Sequence, residues 1–226
     1  MKVKTVFMDV DGTMTVYPAG REIDRSPKAL LEDLMMEKYR LSREAAWDKV
    51  LACGDTETHC LSEFLPQLGI SEEAYFRSLQ DALKNTVYVP EDTKRLLSFL
   101  KEQGFALYTA TTNPRFMTLA KLSIGGLADL SGCKYITGYF PGCSFLDPQG
   151  KYAPDYYQKI MAAGAFDPAT TMMIGDEPLR DCIPAMKAGM RWGINIDRQQ
   201  KARCIERDGV LYINSFDVLM PLLEKT

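Results

Sequence analysis

The sequence predicts an α/β protein: a doubly wound, mostly parallel sheet with a small all-helical domain inserted after the first strand. Two patterns predict this. From about residue 88 onward, short apolar runs alternate with amphipathic helical stretches, as expected of a parallel sheet covered by helices on both faces. Between the first apolar run and that region, residues 17–87 read as helix throughout. The length of 226 residues accommodates one large domain with such an insert. The predicted core is therefore 1–16 plus 88–226, and the insert 17–87.

The elements follow in order. Residues 4–9 (KTVFMD) form the first strand. Residues 26–39 open with Ser26 as N-cap and Pro27 at the first helical position. Segments 42–52, 55–68 and 72–83 read as further helices, each preceded by a capping residue or a glycine, with Pro66 ending or kinking the third helix of the block. Residues 90–104 are an amphipathic helix stopped by Gly104. Strands are predicted at 105–109, 134–139, 170–175, 191–196 and 210–213. Helices are predicted at 114–123, 154–164, 179–189 and 215–225.

Composition excludes several classes. A net charge of −3 with scattered Lys and Arg gives no basic patch for nucleic acid. No apolar stretch reaches membrane-span length, and MKVKTVFMDV does not read as a secretory signal. The six cysteines form no C-x-x-C pair, so free thiols in a reducing cytoplasm are expected.

In a doubly wound sheet the working site lies beyond the carboxyl ends of the strands. The first strand ends in Asp9, with Asp11, Gly12 and Thr13 after it. The strand at 105–109 ends in Thr109, followed by Ala110, Thr111 and Thr112. The strand at 170–175 is followed by Asp176, Glu177 and, farther on, Asp181. Lys151 sits in the loop PQGKYAPD. Two like charges about 4 Å apart repel by roughly 4 kcal/mol at an effective dielectric near 20. Four such acids beside one lysine point to a divalent cation, and an oxygen-only ligand set favours Mg²⁺. The lysine and a threonine hydroxyl suit an anion such as phosphate.

These residues resemble the motifs of the haloacid dehalogenase-like superfamily. D-x-D-x-T reads here as Asp9-Val10-Asp11-Gly12-Thr13, the strand-end hydroxyl as Thr109, the loop lysine as Lys151 in GKYAP, and G-D-x₄-D as Asp176 and Asp181. Tyr152 departs from the usual proline, and Thr111 or Thr112 competes with Thr109. The resemblance implies a Rossmann-like core with a helical cap over the site. It implies Asp9 as nucleophile, passing through an aspartyl-phosphate, and Asp11 as acid then base, with a pKa raised by acidic neighbours. It also implies Mg²⁺ held by Asp9, the Asp11 carbonyl and Asp176, phosphoryl contacts from Thr109, Ala110 and Lys151, and Asp181 in support. The dehalogenases of the group lack an acid at the position of Asp11, so phosphoryl transfer is expected. The implied substrate is a small phosphorylated metabolite, a nucleoside monophosphate or a sugar phosphate, handled by a monomer or homodimer. A phosphomutase and a phospho-accepting receiver module are the alternatives, the latter weakened because receivers carry no helical insert. His59 and most cap aromatics read as structural. Asp55 and Thr56 are the expected specificity loop.

Overall fold

A computed structural model describes residues 1–18, 23 and 25–223. The sheet has seven strands in the order β3-β2-β1-β4-β5-β7-β6. They are β1 (Thr5–Met8), β2 (Ala106–Thr111), β3 (Gly138–Pro141), β4 (Thr171–Gly175), β5 (Trp192–Ile196), β6 (Cys204–Arg207) and β7 (Val210–Ile213). All neighbours pair in parallel except β6 and β7, which form an antiparallel hairpin. The helices are α1 (Pro27–Tyr39), α2 (Arg43–Leu51), α3 (Glu72–Leu83), α4 (Glu91–Glu102), α5 (Arg115–Ile124), α6 (Tyr156–Ala163), α7 (Cys182–Lys187) and α8 (Phe216–Leu219). The strand order reverses beside β1, so the end of β1 faces the crevice where such sheets bind ligands.

Local chemistry sets the boundaries. Ser26, Ser42 and Ser71 each accept a backbone N–H in the first turn of α1, α2 and α3, as capping side chains should. The expected helix at 55–68 is instead a loop with one short 3-10 turn, Leu61–Phe64. Asp55 explains the loss. Its carboxylate accepts from the Glu57 N–H at 2.9 Å and the Thr58 hydroxyl at 2.9 Å, which fixes a turn in place of a helix. That carboxylate is thus bonded within its own loop. The strand expected at 134–139 starts later, at Gly138, which pairs with Tyr108; a Cβ there would lie 2.9 Å from the Tyr108 ring. The helix expected at 179–189 is only Cys182–Lys187, and the final helix breaks into a 3-10 turn, Met220–Leu222, at Pro221. Residues 19–22, 24 and 224–226, which include parts of the predicted entry to the insert and of the last helix, lie outside the described residues.

The helical insert and the sheet share one apolar core. Tyr75 and Phe76 on α3 pack their rings against Phe116 on α5, with centroids 6.0 and 5.9 Å apart. Gln80 donates to Ser123 across the same seam at 2.8 Å. The chain crosses between the two parts as a short antiparallel pair: Val16 and Tyr88 exchange backbone hydrogen bonds at 3.0 and 3.1 Å. The free-thiol expectation fails for two of the six cysteines. Cys60, in the loop before the 3-10 turn, is disulfide-bonded to Cys143, just beyond β3. The spacing could not show this, because folding brings together loops 83 residues apart. Cys53, Cys133, Cys182 and Cys204 are free.

Candidate active site

Parallel pairing places the ends of β1, β2 and β4 side by side, and the chemistry gathers there. Asp9 leaves β1 with its N–H bonded to the Ile174 carbonyl of β4 at 2.9 Å. Its carboxylate is buried and meets the Lys151 ammonium at 2.9 Å. Lys151 also meets Asp181 at 2.7 Å. Asp9, Asp176 and Asp181 each offer a carboxylate oxygen, all within 4.8 Å of one another.

Two glycines allow this crowding. Gly12 adopts a left-handed φ of +72°, and a Cβ there would overlap the Asp176 carboxylate. A Cβ on Gly175 would overlap that of Asp181. Asp176 is further fixed by the Thr13 hydroxyl at 3.2 Å, and Asp181 by the Glu177 N–H at 3.1 Å.

The electrostatics split the four acids into two groups. Burial raises the pKa of Asp9, and the Asp181 carboxylate adds to it; Lys151 offsets only part. Burial, then Asp9 and Asp181, push the Asp176 carboxyl up to about 6. Burial pulls Lys151 down, but Asp9 and Asp181 outweigh it, so the ammonium is held charged above its ordinary range. Three carboxylates against one ammonium leave two uncompensated negative charges, the charge of one divalent cation with the sign reversed. The donor set is oxygen only, which suits a hard ion such as Mg²⁺. The residues therefore fit the metal that the motifs imply.

Asp11 belongs to the other group, and here the sequence expectation is corrected. Among the described residues its carboxylate is bonded to no acid. Lys121 on α5 donates to both oxygens at 2.7 Å, Asn113 donates at 2.9 Å, and Tyr17 at 3.1 Å. Burial would raise its pKa, but Lys121 foremost, then Asn113 and Tyr17, bring it below the ordinary carboxylate value. Lys121 also donates to the Asn113 side-chain oxygen at 2.7 Å, which closes the triangle.

Sequence reasoning missed Lys121, Asn113 and Tyr17. A signal existed for the first: residues 116–122 are all buried, and Lys121 is the one charged residue among them. A lysine there needs a partner. Asn113 read only as half of a turn.

The strand-end hydroxyl also sits differently from the expectation. Thr109 pairs in register with Met8, so it shares the Met8 face, whereas Asp9 points to the opposite one. Its buried hydroxyl finds no hydrogen-bond partner. Ala110 lies in step with Asp9, fully buried beside Phe7. Thr111 accepts from the Asn113 backbone and side chain at 3.3 and 3.0 Å. Thr112, just past the strand, is exposed.

Residues 3–189 match the family model described as haloacid dehalogenase-like hydrolase. No curated protein matches the chain. Among solved structures, an HAD phosphatase from Thermococcus onnurineus is similar at 20% identity, covering 99% of each chain, with a TM-score of 0.57. The HAD-hydrolase YfnB from Bacillus subtilis bound to magnesium is similar at 18% identity, covering 99% of this chain and 100% of that one, TM-score 0.55. The L-2-haloacid dehalogenase RSc1362 is similar at 14% identity, covering 99% of each chain, TM-score 0.56. At these identities the likeness is one of fold.

Proposed function

The chain belongs to the haloacid dehalogenase-like hydrolases, and from that premise we propose that it is a Mg²⁺-dependent phosphatase acting on a small phosphate monoester. The observation that carries this reading is a buried Asp9 paired with Lys151 at 2.9 Å, beside an acidic group with two negative charges in excess. A dehalogenase reading is less well supported, because a halide leaves without a proton and Asp11 would have no task.

In this reading the Asp9 carboxylate oxygen attacks phosphorus, the ester P–O bond breaks, and an aspartyl-phosphate forms. The leaving oxygen takes its proton from the Lys121 ammonium, which donates to both oxygens of the ionised Asp11 at 2.7 Å. Water then attacks phosphorus, the P–O bond to Asp9 breaks, and the water proton returns to the pair. Asp11, ionised at rest, is set up as the base of this second half. Lys151 holds Asp9 in place and balances charge on the phosphoryl oxygens. Thr112 takes over the hydroxyl contact expected of Thr109, because it is the exposed hydroxyl at the strand end. Asp9 and Asp176, with Asp181 beside them, would hold the cation, which when bound would supply charge stabilisation to the phosphoryl group.

The enzyme works on small molecules, as a monomer or homodimer, without nucleic acid. Among the described residues no helix is long and apolar enough to cross a membrane. A cytoplasmic location is part of the reading. The four free cysteines suit it, and the Cys60–Cys143 bridge is the observation against it. The test is Mg²⁺-dependent release of phosphate from acetyl phosphate, lost in Asp9→Asn with the circular dichroism spectrum unchanged. Equal turnover in the variant sinks the reading.

A further inference from the structure

Between the helical insert and the sheet lies a cavity of about 130 Å³. Leu61 and Leu79 wall it from the insert, and Phe116 and Met117 from α5. Among the described residues no charged side chain lines it. Tyr75 reaches it as well, but its hydroxyl already donates to the Pro27 carbonyl at 3.3 Å. With the Thr112 hydroxyl given to the phosphoryl group, Ser62 offers the principal side-chain hydroxyl left among these lining residues to receive a polar ligand. At the sheet end the wall is Asn113, whose amide donates to Asp11 at 2.9 Å. The cavity thus begins one side chain away from the pair that serves the leaving oxygen.

We propose that this cavity receives the organic part of the substrate, and that this part is a compact apolar group, a benzene-sized ring or a branched chain of four to six carbons. The inference rests on the phosphatase reading and adds the substrate class to it. Size and polarity both carry it. An engineered apolar cavity of about 150 Å³ holds benzene, so about 130 Å³ suits a ring or a branched chain of similar bulk. A sugar phosphate would bring several hydroxyls into a space whose principal free hydroxyl is that of Ser62, and each hydroxyl left unpaired weakens binding. A nucleoside is bulkier than this cavity and would fit only by extending out of its open side.

The experiment is a chain-length series of alkyl monophosphates, methyl to octyl, with phenyl phosphate and glucose 6-phosphate, and acetyl phosphate as a baseline whose leaving group barely enters the cavity. Each buried methylene should raise kcat/KM about fourfold, with an optimum near five carbons and a fall beyond six. Phenyl phosphate should exceed glucose 6-phosphate at least about 50-fold. Ser62→Leu, on the half-buried turn, should move the optimum to shorter chains, read as a ratio of chain lengths within the variant itself. Phenylphosphonate, which cannot be hydrolysed, should raise the melting temperature more than inorganic phosphate does. Acetyl phosphate turnover with a flat chain-length series, or with glucose 6-phosphate preferred, overturns the cavity assignment and leaves the phosphatase reading standing. No turnover of acetyl phosphate or of any of the esters overturns both.

Discussion

Asp92→Asn isolates one buried charge pair that holds the catalytic loop from behind. Asp92 is 7% exposed. Its carboxylate accepts from Arg198 at 2.9 and 2.7 Å, from the Ser215 hydroxyl at 2.9 Å and from the Phe216 N–H at 3.0 Å. Arg198 in turn donates to the Thr13 carbonyl at 3.3 Å, next to the acidic site. The asparagine removes the charge and presents an NH₂ to donors. Breaking a buried pair from one side costs about 3–5 kcal/mol. Arg198 is 22% exposed and keeps the Thr13 and Thr93 oxygens, so about 2–3 kcal/mol is expected. For a chain of this size that is a fall in melting temperature of about 4–12 °C. Burial would raise the Asp92 pKa, but Arg198 and the Phe216 and Ser215 bonds outweigh it and hold it below the ordinary value. Its stabilisation is therefore present above the unfolded-state pKa near 3.9 and lost as pH falls through the folded value. Thermal melts of both proteins from pH 3 to 8 should show a constant gap above pH 5 that closes below about pH 4. A gap under about 2 °C at pH 7, or one that widens in acid, refutes the reasoning.

Other substitutions test the site itself. Asp11→Asn should lower phosphate release by about 10²–10⁴-fold in steady-state assays. Lys121→Met removes the largest opponent of burial at Asp11, so the acid limb of the kcat profile should move to higher pH. Asp176, with its pKa at about 6 in the metal-free protein, costs stability as pH rises through that value; metal-free Asp176→Asn should melt above the parent at pH 8, and Mg²⁺ should raise the parent alone. Cys60→Ser opens a loop spanning 83 residues, for a loss of up to about 4–5 kcal/mol in denaturant titrations, and the cross-linked peptide should vanish from non-reducing mass spectra.

The sequence revealed the site wherever an acid directly follows an apolar run. Asp9 and Asp176 are fixed by that rule, because the strand that precedes each can end on only one sheet edge. Lys121 escaped it: its partner lies 110 positions away, and only a folded α5 turns it toward Asp11. Thr109 was chosen as the last residue of an apolar run, but the strand continues to Thr111, and facing is set by register with Met8. The β6–β7 hairpin had a visible sign, Asp208-Gly209 between CIER and VLYI, with φ of 51° and 77° at the turn. CIER carries two charges in four residues, so its strand character comes from pairing with β7 rather than from its own composition.

The Val16–Tyr88 pair gives the insert a jointed attachment. Two separate tethers would let it rock and swivel independently of the sheet. Stitched to each other at Val16 and Tyr88, they run as one ribbon at that point. That ribbon begins directly after Thr15, whose N–H is bonded to Val10 at 2.8 Å, between the two acids of the first motif. A proline at position 88 would delete one of the two stitches, the bond from the Tyr88 N–H to the Val16 carbonyl.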